Sequence, residues 1–189
     1  MTTFCESESV LRDTISSFRK GHATNTVLMG MRDDLLIAMK KGEVTPMVLA
    51  DFSKAFDTVN CKVFITKLST LGFSKPFLHW LNSYLSDRSH FVQIDDRTSE
   101  SVNVRFGVPQ GSILGPMLFN LYVSDLQDHL PSSIGSFQYA DDTTIYSSCP
   151  APELQRCAQE LNSTLNTVRS RRRQRRCCYP QARCHMYIV

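Results

Sequence analysis

A chain of 189 residues, 42% of them hydrophobic, is long enough to bury a core and to build one domain with at most a small appendage. No apolar run approaches the roughly 18 residues of a spanning helix, and Met1-Thr2-Thr3-Phe4-Cys5-Glu6 lacks the basic-then-apolar pattern of an export signal, so neither membrane nor secretion is expected. The formal charge of +3 hides an asymmetry: residues 169–189 hold seven basic side chains and no acid, whereas residues 1–168 carry 14 basic and 18 acidic ones, a balance of −4. A nucleic-acid partner therefore has to be argued from local sites or from the basic end, not from bulk charge. The seven scattered cysteines form no Cys-x-x-Cys pair and suit a reducing compartment, nuclear or cytoplasmic.

In chain order, Val10, Leu11, Ile15 and Phe18 are spaced for a short helix. Phe18-Arg19-Lys20-Gly21-His22-Ala23-Thr24 reads as a basic turn, with Thr24 or Asn25 as cap of the next helix. That helix runs from Asn25 to Lys41, carries Leu28, Met31, Leu35 and Met39 on its inner face, and stops at Gly42. Pro46-Met47-Val48-Leu49-Ala50-Asp51 is a continuous apolar run ending on an acid, as in a strand buried on both faces. Val63, Phe64, Lys67, Leu68 and Leu71 mark a second helix, ending at Gly72. Phe77, Leu78, Leu81, Tyr84 and Leu85, with Trp80 beside them, mark a third that starts at Ser74-Lys75-Pro76.

His90 to Ile94 and Val102 to Phe106 alternate as an antiparallel pair around a loop at Asp95-Asp96-Arg97-Thr98-Ser99. Gly107 to Pro116 is a punctuated turn into a helix reaching about Asp128, apolar nearly all round and therefore deeply buried. Phe137, Tyr139 and Ile145 alternate about Asp141-Asp142, which places two acids at the tip of a hairpin. Leu154, Ala158, Leu161, Leu165 and Val168 give a last amphipathic helix. Residues 170–189, opening on Ser170-Arg171-Arg172-Arg173, are expected to form an unpacked basic tail.

Two acid-bearing strand ends, at Asp51 and at Asp141-Asp142, converge if their strands are neighbours in one small sheet. Adjacent carboxylates repel, so the pair calls for a compensating cation; the alternative is an ordinary Asp-rich turn. Hard oxygen ligands suit Mg²⁺, and two such ions support phosphoryl transfer without a Ser or His nucleophile.

The segments Ala50-Asp51-Phe52-Ser53-Lys54-Ala55-Phe56-Asp57-Thr58-Val59-Asn60, Gly107-Val108-Pro109-Gln110-Gly111-Ser112-Ile113-Leu114-Gly115-Pro116-Met117-Leu118-Phe119 and Tyr139-Ala140-Asp141-Asp142 resemble, in this order, motifs A, B and C of reverse transcriptases, in wording closest to the non-LTR retrotransposon type. The turn Phe18 to Thr24 resembles the fingers motif of that family, and the likeness covers about residues 15–168.

The resemblance implies an α+β polymerase palm, an antiparallel sheet with flanking helices, with partial fingers over residues 1–43, palm over 44–169, tail over 170–189 and no thumb. It implies RNA-directed DNA polymerase chemistry on an RNA template, a DNA primer and dNTPs, with two Mg²⁺ or Mn²⁺ ions. Asp51, Asp141 and Asp142 would be the catalytic metal ligands, Asp142 the weakest, and Phe56 would pack beneath the sugar and reject a 2′-hydroxyl. Gln110 and Gly111 would line the nucleotide pocket, and Arg19 and Lys20 would reach the triphosphate; the alternatives are core packing for Phe56 and solvated surface for the two cations. Two further readings stand beside this one: a catalytically inactive remnant that binds nucleic acid through Arg169 to Arg176, and an RNA-directed RNA polymerase, which would not be expected to place Phe at position 56. Protein partners are not specified by the sequence.

Overall fold

The computed structural model describes Cys5 and residues 10–53, 55–173 and 181–189. Its elements are α1 (Thr24–Lys40), β1 (Glu43–Val44), β2 (Pro46–Ser53), α2 (Cys61–Thr70), α3 (Lys75–Leu85), β3 (Arg88–His90), β4 (Gln93–Ile94), β5 (Arg97–Thr98), β6 (Val102–Val104), α4 (Gly115–Val123), β7 (Gly135–Tyr139), β8 (Asp142–Tyr146), β9 (Cys149–Pro150), α5 (Leu154–Arg173) and β10 (Gln181–Ile188). The central sheet has the order β10-β2-β8-β7, every neighbouring pair antiparallel. With helices between β2 and β7 and α5 between β8 and β10, this is a split βαβ arrangement, an α+β fold.

Two cores hold it. The larger gathers Phe64 and Leu68 of α2, Leu81 and Leu85 of α3, and nearly all of α4 around Leu11 and Ile15. The smaller packs Val48, Ile145, Ile134 and Leu161 between the sheet and α5. α4 is buried from Met117 to Val123, as its apolar circumference requires. No helix among the described residues is long and apolar enough to cross a membrane.

Several expectations are corrected. Residues 181–188 are not an unpacked tail but a strand, paired with β2 over its whole length from Gln181 opposite Ser53 to Ile188 opposite Pro46. The signal was present: Ala182, Cys184, Met186 and Ile188 alternate with Arg183, His185 and Tyr187, a period of two masked by the arginine run before it. Residues 174–180 of that expected tail lie outside the described residues.

Of the expected inner row of α1, Met31 and Leu35 are half-buried, but its two ends are shifted by one position. Val27 and Ala38 are buried, and Leu28 and Met39 face outward at 60% and 61% exposure. Small Gly30 sets this rotation, because a Cβ there would stand 2.8 Å from the Phe137 ring, so the helix turns that stripe to the sheet. Its N-cap is Ala23, not Thr24 or Asn25, with the Ala23 N–H donating to Thr26 Oγ1 at 3.1 Å.

Residues 10–18 form no helix. Ile15 instead makes a parallel bridge to Gln138, extending the sheet edge. Leu49 is 41% exposed, so β2 is covered on one face only near its acid. The β3–β6 pair and the β4–β5 hairpin are separate, the latter turning at Asp95-Asp96 with φ +52° at Asp95. α4 stops at Val123 rather than near Asp128, a short 3₁₀ turn at Gln127–His129 following it. Trp80 is 49% exposed and stacks on Tyr84 at 5.6 Å instead of entering the core.

Candidate active site

The apolar run of β2 brings Asp51 to its carboxyl end, and β8 begins at Asp142. Strand pairing sets the two directly opposite each other. Tyr139 pairs with Asp142 across β7 and β8, leaving Ala140-Asp141 as a two-residue turn. Ala140 takes φ +53°, a left-handed conformation that a residue with a Cβ adopts only at a cost, and this turn presents Asp141 beyond the strand ends. The acids feel one another: burial first, then the charges of Asp141 and Asp51, push the Asp142 carboxyl above its ordinary value of 3.8.

Beside the turn lies a cavity of about 390 Å³ lined by Ala55, Phe56, Pro109, Gln110, Gly111 and Asp141, together with Gly115 and Pro116. Two loops are stitched together to form it. Val108 N–H donates to Phe56 O at 2.8 Å and Gly107 N–H to Val59 O at 2.7 Å. Gly107 has φ +88°, and a Cβ there would stand 2.8 Å from both Asp57 Cα and Phe56 O, so no other residue fits this contact. Phe56 stacks on Phe119 of α4 at a centroid distance of 4.7 Å, and Gln110 Nε2 donates to Asp57 Oδ1 at 2.9 Å.

Among the residues singled out from sequence, the structure gathers Asp141, Phe56, Gln110 and Gly111 at one cavity and joins Asp51 and Asp142 to them through strand pairing. Arg19 and Lys20 are not in the lining. Arg19 Nη1 donates to the carbonyls of Arg12 and Ile15, each at 2.8 Å, bracing the turn, while Lys20 is exposed.

Two supporting residues escaped sequence reasoning. Arg88 donates through Nε to Leu85 O at 3.0 Å and through its guanidinium to the carbonyls of Phe106 and Gly107, holding the loop that builds the cavity; nothing in its sequence context announced this. Asn120, buried in α4, donates to Ser17 O at 2.6 Å and accepts from Ser17 Oγ at 2.9 Å, tying the N-terminal segment to the core. A lone amide in an all-apolar helix was its signal.

Among the described residues no three His, Cys, Asp or Glu side chains close into a ready-made metal cage. The donor set nevertheless suits a hard divalent cation. Opposed carboxylates on Asp51 and Asp142, with Asp141 near enough to raise the Asp142 carboxyl, form an anionic cluster that oxygen-seeking ions relieve.

Residues 2–181 match the family described as reverse transcriptase (RNA-dependent DNA polymerase). The chain is 35% identical over 163 residues to the probable RNA-directed DNA polymerase from transposon BS of Drosophila melanogaster, covering 82% of this chain and 18% of that protein. It is 31% identical over 134 residues to the RNA-directed DNA polymerase from mobile element jockey of the same species, covering 68% of this chain and 14% of that one. Among solved structures, apo telomerase from Candida tropicalis, truncated of its C-terminal domain, superposes with a TM-score of 0.67 at 15% identity, over 99% of this chain and 38% of the telomerase chain. That last likeness is one of fold.

Proposed function

The chain belongs to the reverse transcriptase family, of the non-LTR retrotransposon kind, and on that premise we propose that its sheet is the palm of an RNA-directed DNA polymerase that adds dNTPs to a primer 3′-hydroxyl. The observation that carries this is the placement of Asp51 opposite Asp142, with Asp141 on the wall of a cavity shared with Phe56, Gln110 and Gly111. The chain spans less than a fifth of the length of the transposon BS and jockey proteins, so the activity in their names comes to it as a proposal.

Asp51 and Asp141 would hold the metal ions, with Asp142 as a third, weaker acid. Two Mg²⁺ or Mn²⁺ ions, when bound, supply activation of the primer hydroxyl and stabilisation of the leaving oxygen. The protein's own part is placement. Phe56, backed by Phe119, forms the floor on which the sugar of the incoming nucleotide rests and blocks a 2′-hydroxyl. Gly111 and Gln110 let the nucleotide approach the backbone of the loop, and exposed Lys20 meets the triphosphate from the turn that Arg19 braces. RNA serves as the template.

Primer extension on an RNA template by the full chain, beside an Asp141→Ala variant, tests this. Extension that disappears in the variant is the expected result. Equal background in both would refute the assignment.

A further inference from the structure

Between α3 and the loop of the nucleotide cavity the chain runs out into a ribbon that the rest of the molecule leaves uncovered. Arg88 pairs with Val104 and His90 with Val102, and farther out Ile94 pairs with Arg97 around the turn at Asp95-Asp96. Every residue from Ser89 to Asn103 is exposed. A two-stranded hairpin with no further layer is marginal in water, and this one displays apolar side chains as well: Ile94 is 69%, Val102 56% and Phe106 53% exposed, with Phe91 and Val92 beside them. Among the described residues the outer edges of β3 and β6 have no strand partner either, which leaves backbone groups open to another chain.

The ribbon carries both halves of a contact. Toward its tip, Val92, Ile94 and residues 95–99 line a hollow of about 620 Å³, apolar at Val92 and Ile94 and acidic at Asp95 and Asp96, with Arg97 as the cation of the lining. At its base, exposed Arg105 stands next to Phe106, a guanidinium beside an aromatic ring. A ring flanked by a cation is what such a hollow accepts. The spacing matches too, because Val102 lies midway between Thr98 and Phe106 and midway between Ser99 and Arg105.

We propose that this ribbon is a dimer contact, lying antiparallel on the same ribbon of a second copy about a two-fold axis at Val102. The axis sets Phe106 of each copy across from Thr98 of the other, and Arg105 across from Ser99, so each base enters the other's hollow. Such a contact is self-complementary and closes after two copies. The balance of charge selects protein over nucleic acid as the occupant: residues 89–106 hold three carboxylates, Asp95, Asp96 and Glu100, against two guanidinium groups, Arg97 and Arg105. A phosphodiester backbone gains nothing from that balance. A second copy does, since antiparallel order brings the acidic tip of one ribbon to Arg105 of the other. The contact goes beyond the polymerase reading and does not depend on it.

The test is sedimentation of the full chain over about 1–100 µM, where a dimer is expected to form. Arg105→Glu and Asp96→Lys, both at exposed positions, should each weaken self-association at least about tenfold, because each sets like charges face to face at both ends of the contact. Mixed in equal amounts, the two variants should dimerise about as well as the wild type. One end of the mixed dimer then pairs the introduced carboxylate with the introduced ammonium, and the other end keeps the native pair. A photo-crosslinking residue in place of Val102 should join two copies, the bond mapping to residues 98–106 of the second.

A wild-type chain that stays monomeric over that range overturns the contact, whether or not it binds nucleic acid. A dimer that both variants leave unaltered does the same, as do two weakened variants of unchanged melting temperature that fail to restore each other. Where either variant melts early the Val102 crosslink decides, and a bond to any other part of the second copy, or none at all, counts against the ribbon.

Discussion

Asp51 and Asp142 face each other directly across the β2–β8 pair, two like charges at the spot where cross-strand side chains come closest. Burial, and then Asp141 and Asp51, hold the Asp142 carboxyl above its ordinary 3.8. An acid whose folded value is raised favours folding below its unfolded value and withdraws that contribution as pH climbs through the folded one. Asp142→Asn should therefore melt about 1–2 °C above the wild type at pH 7 without metal, a small gain because Asp142 is largely exposed, and the two curves should merge below about pH 4. Mn²⁺ should raise the wild-type melting temperature more than that of Asp142→Asn. Superimposable melting curves at pH 7 would show that the acids do not strain the apoprotein.

Gly30 allows α1 to reach the sheet. An alanine there gains up to about 1 kcal/mol of helix propensity but drives a methyl group to 2.8 Å from Phe137. Overpacking of this kind costs about 1–3 kcal/mol, and the clash should win. Gly30→Ala is expected to lower the melting temperature by about 2–6 °C, and adding Phe137→Leu should recover most of the loss. A more stable Gly30→Ala would mean that the helix backs away freely.

Much of this architecture could be read from the chain because local pattern and burial agree. α3 begins at Lys75 with Pro76 in its first turn, and α4 is apolar all round and buried all round. The hairpin around Asp141 follows from Phe137, Tyr139 and Ile145 alternating about a turn. Legibility failed where a tertiary contact outranked local pattern. Leu28 and Met39 have the spacing of an inner face, yet the close approach of Gly30 to Phe137 rotates them outward. β10 was hidden because the charge of residues 171–176 dominates its neighbourhood, although its own alternation is regular. At the site, Asp141 was legible from its place at a hairpin tip, and Phe56 and Gln110 only through the resemblance of their motifs to the family's, whereas Arg88, which acts on carbonyls 18 and 19 residues away, and the turn of Arg19 toward its own backbone depend on chain path alone.

Lys67 sits on the inner side of α2 with its ammonium donating to Tyr122 O and Asp125 Oδ1, both at 2.8 Å, and with side-chain exposures of 10% and 26% for the ion pair. Breaking such a pair from one side leaves a desolvated charge, which costs more than removing both ends. Asp125→Ala should cost about 2–3 kcal/mol in denaturant unfolding, and the double variant Lys67→Met with Asp125→Ala should cost less than the sum of the two single changes. Strict additivity would show that the two side chains act independently.

Phe56 has two roles that different variants separate. Its ring stacks on Phe119 at 4.7 Å and also lines the cavity with Asp141, so Phe56→Ala both loses packing, at about 2–4 kcal/mol for a half-buried ring, and opens the floor beneath the sugar. Phe119→Leu loses the same stacking from below while leaving the Phe56 side chain between sugar and core. If Phe56 excludes the 2′-hydroxyl, Phe56→Ala should shift the ratio of kcat/KM for dNTP over rNTP toward ribonucleotides by at least about tenfold, whereas Phe119→Leu should reduce stability and leave that ratio within about twofold. Equal relaxation in both variants would assign Phe56 to packing alone, and an unchanged ratio in Phe56→Ala would place sugar discrimination elsewhere in the cavity.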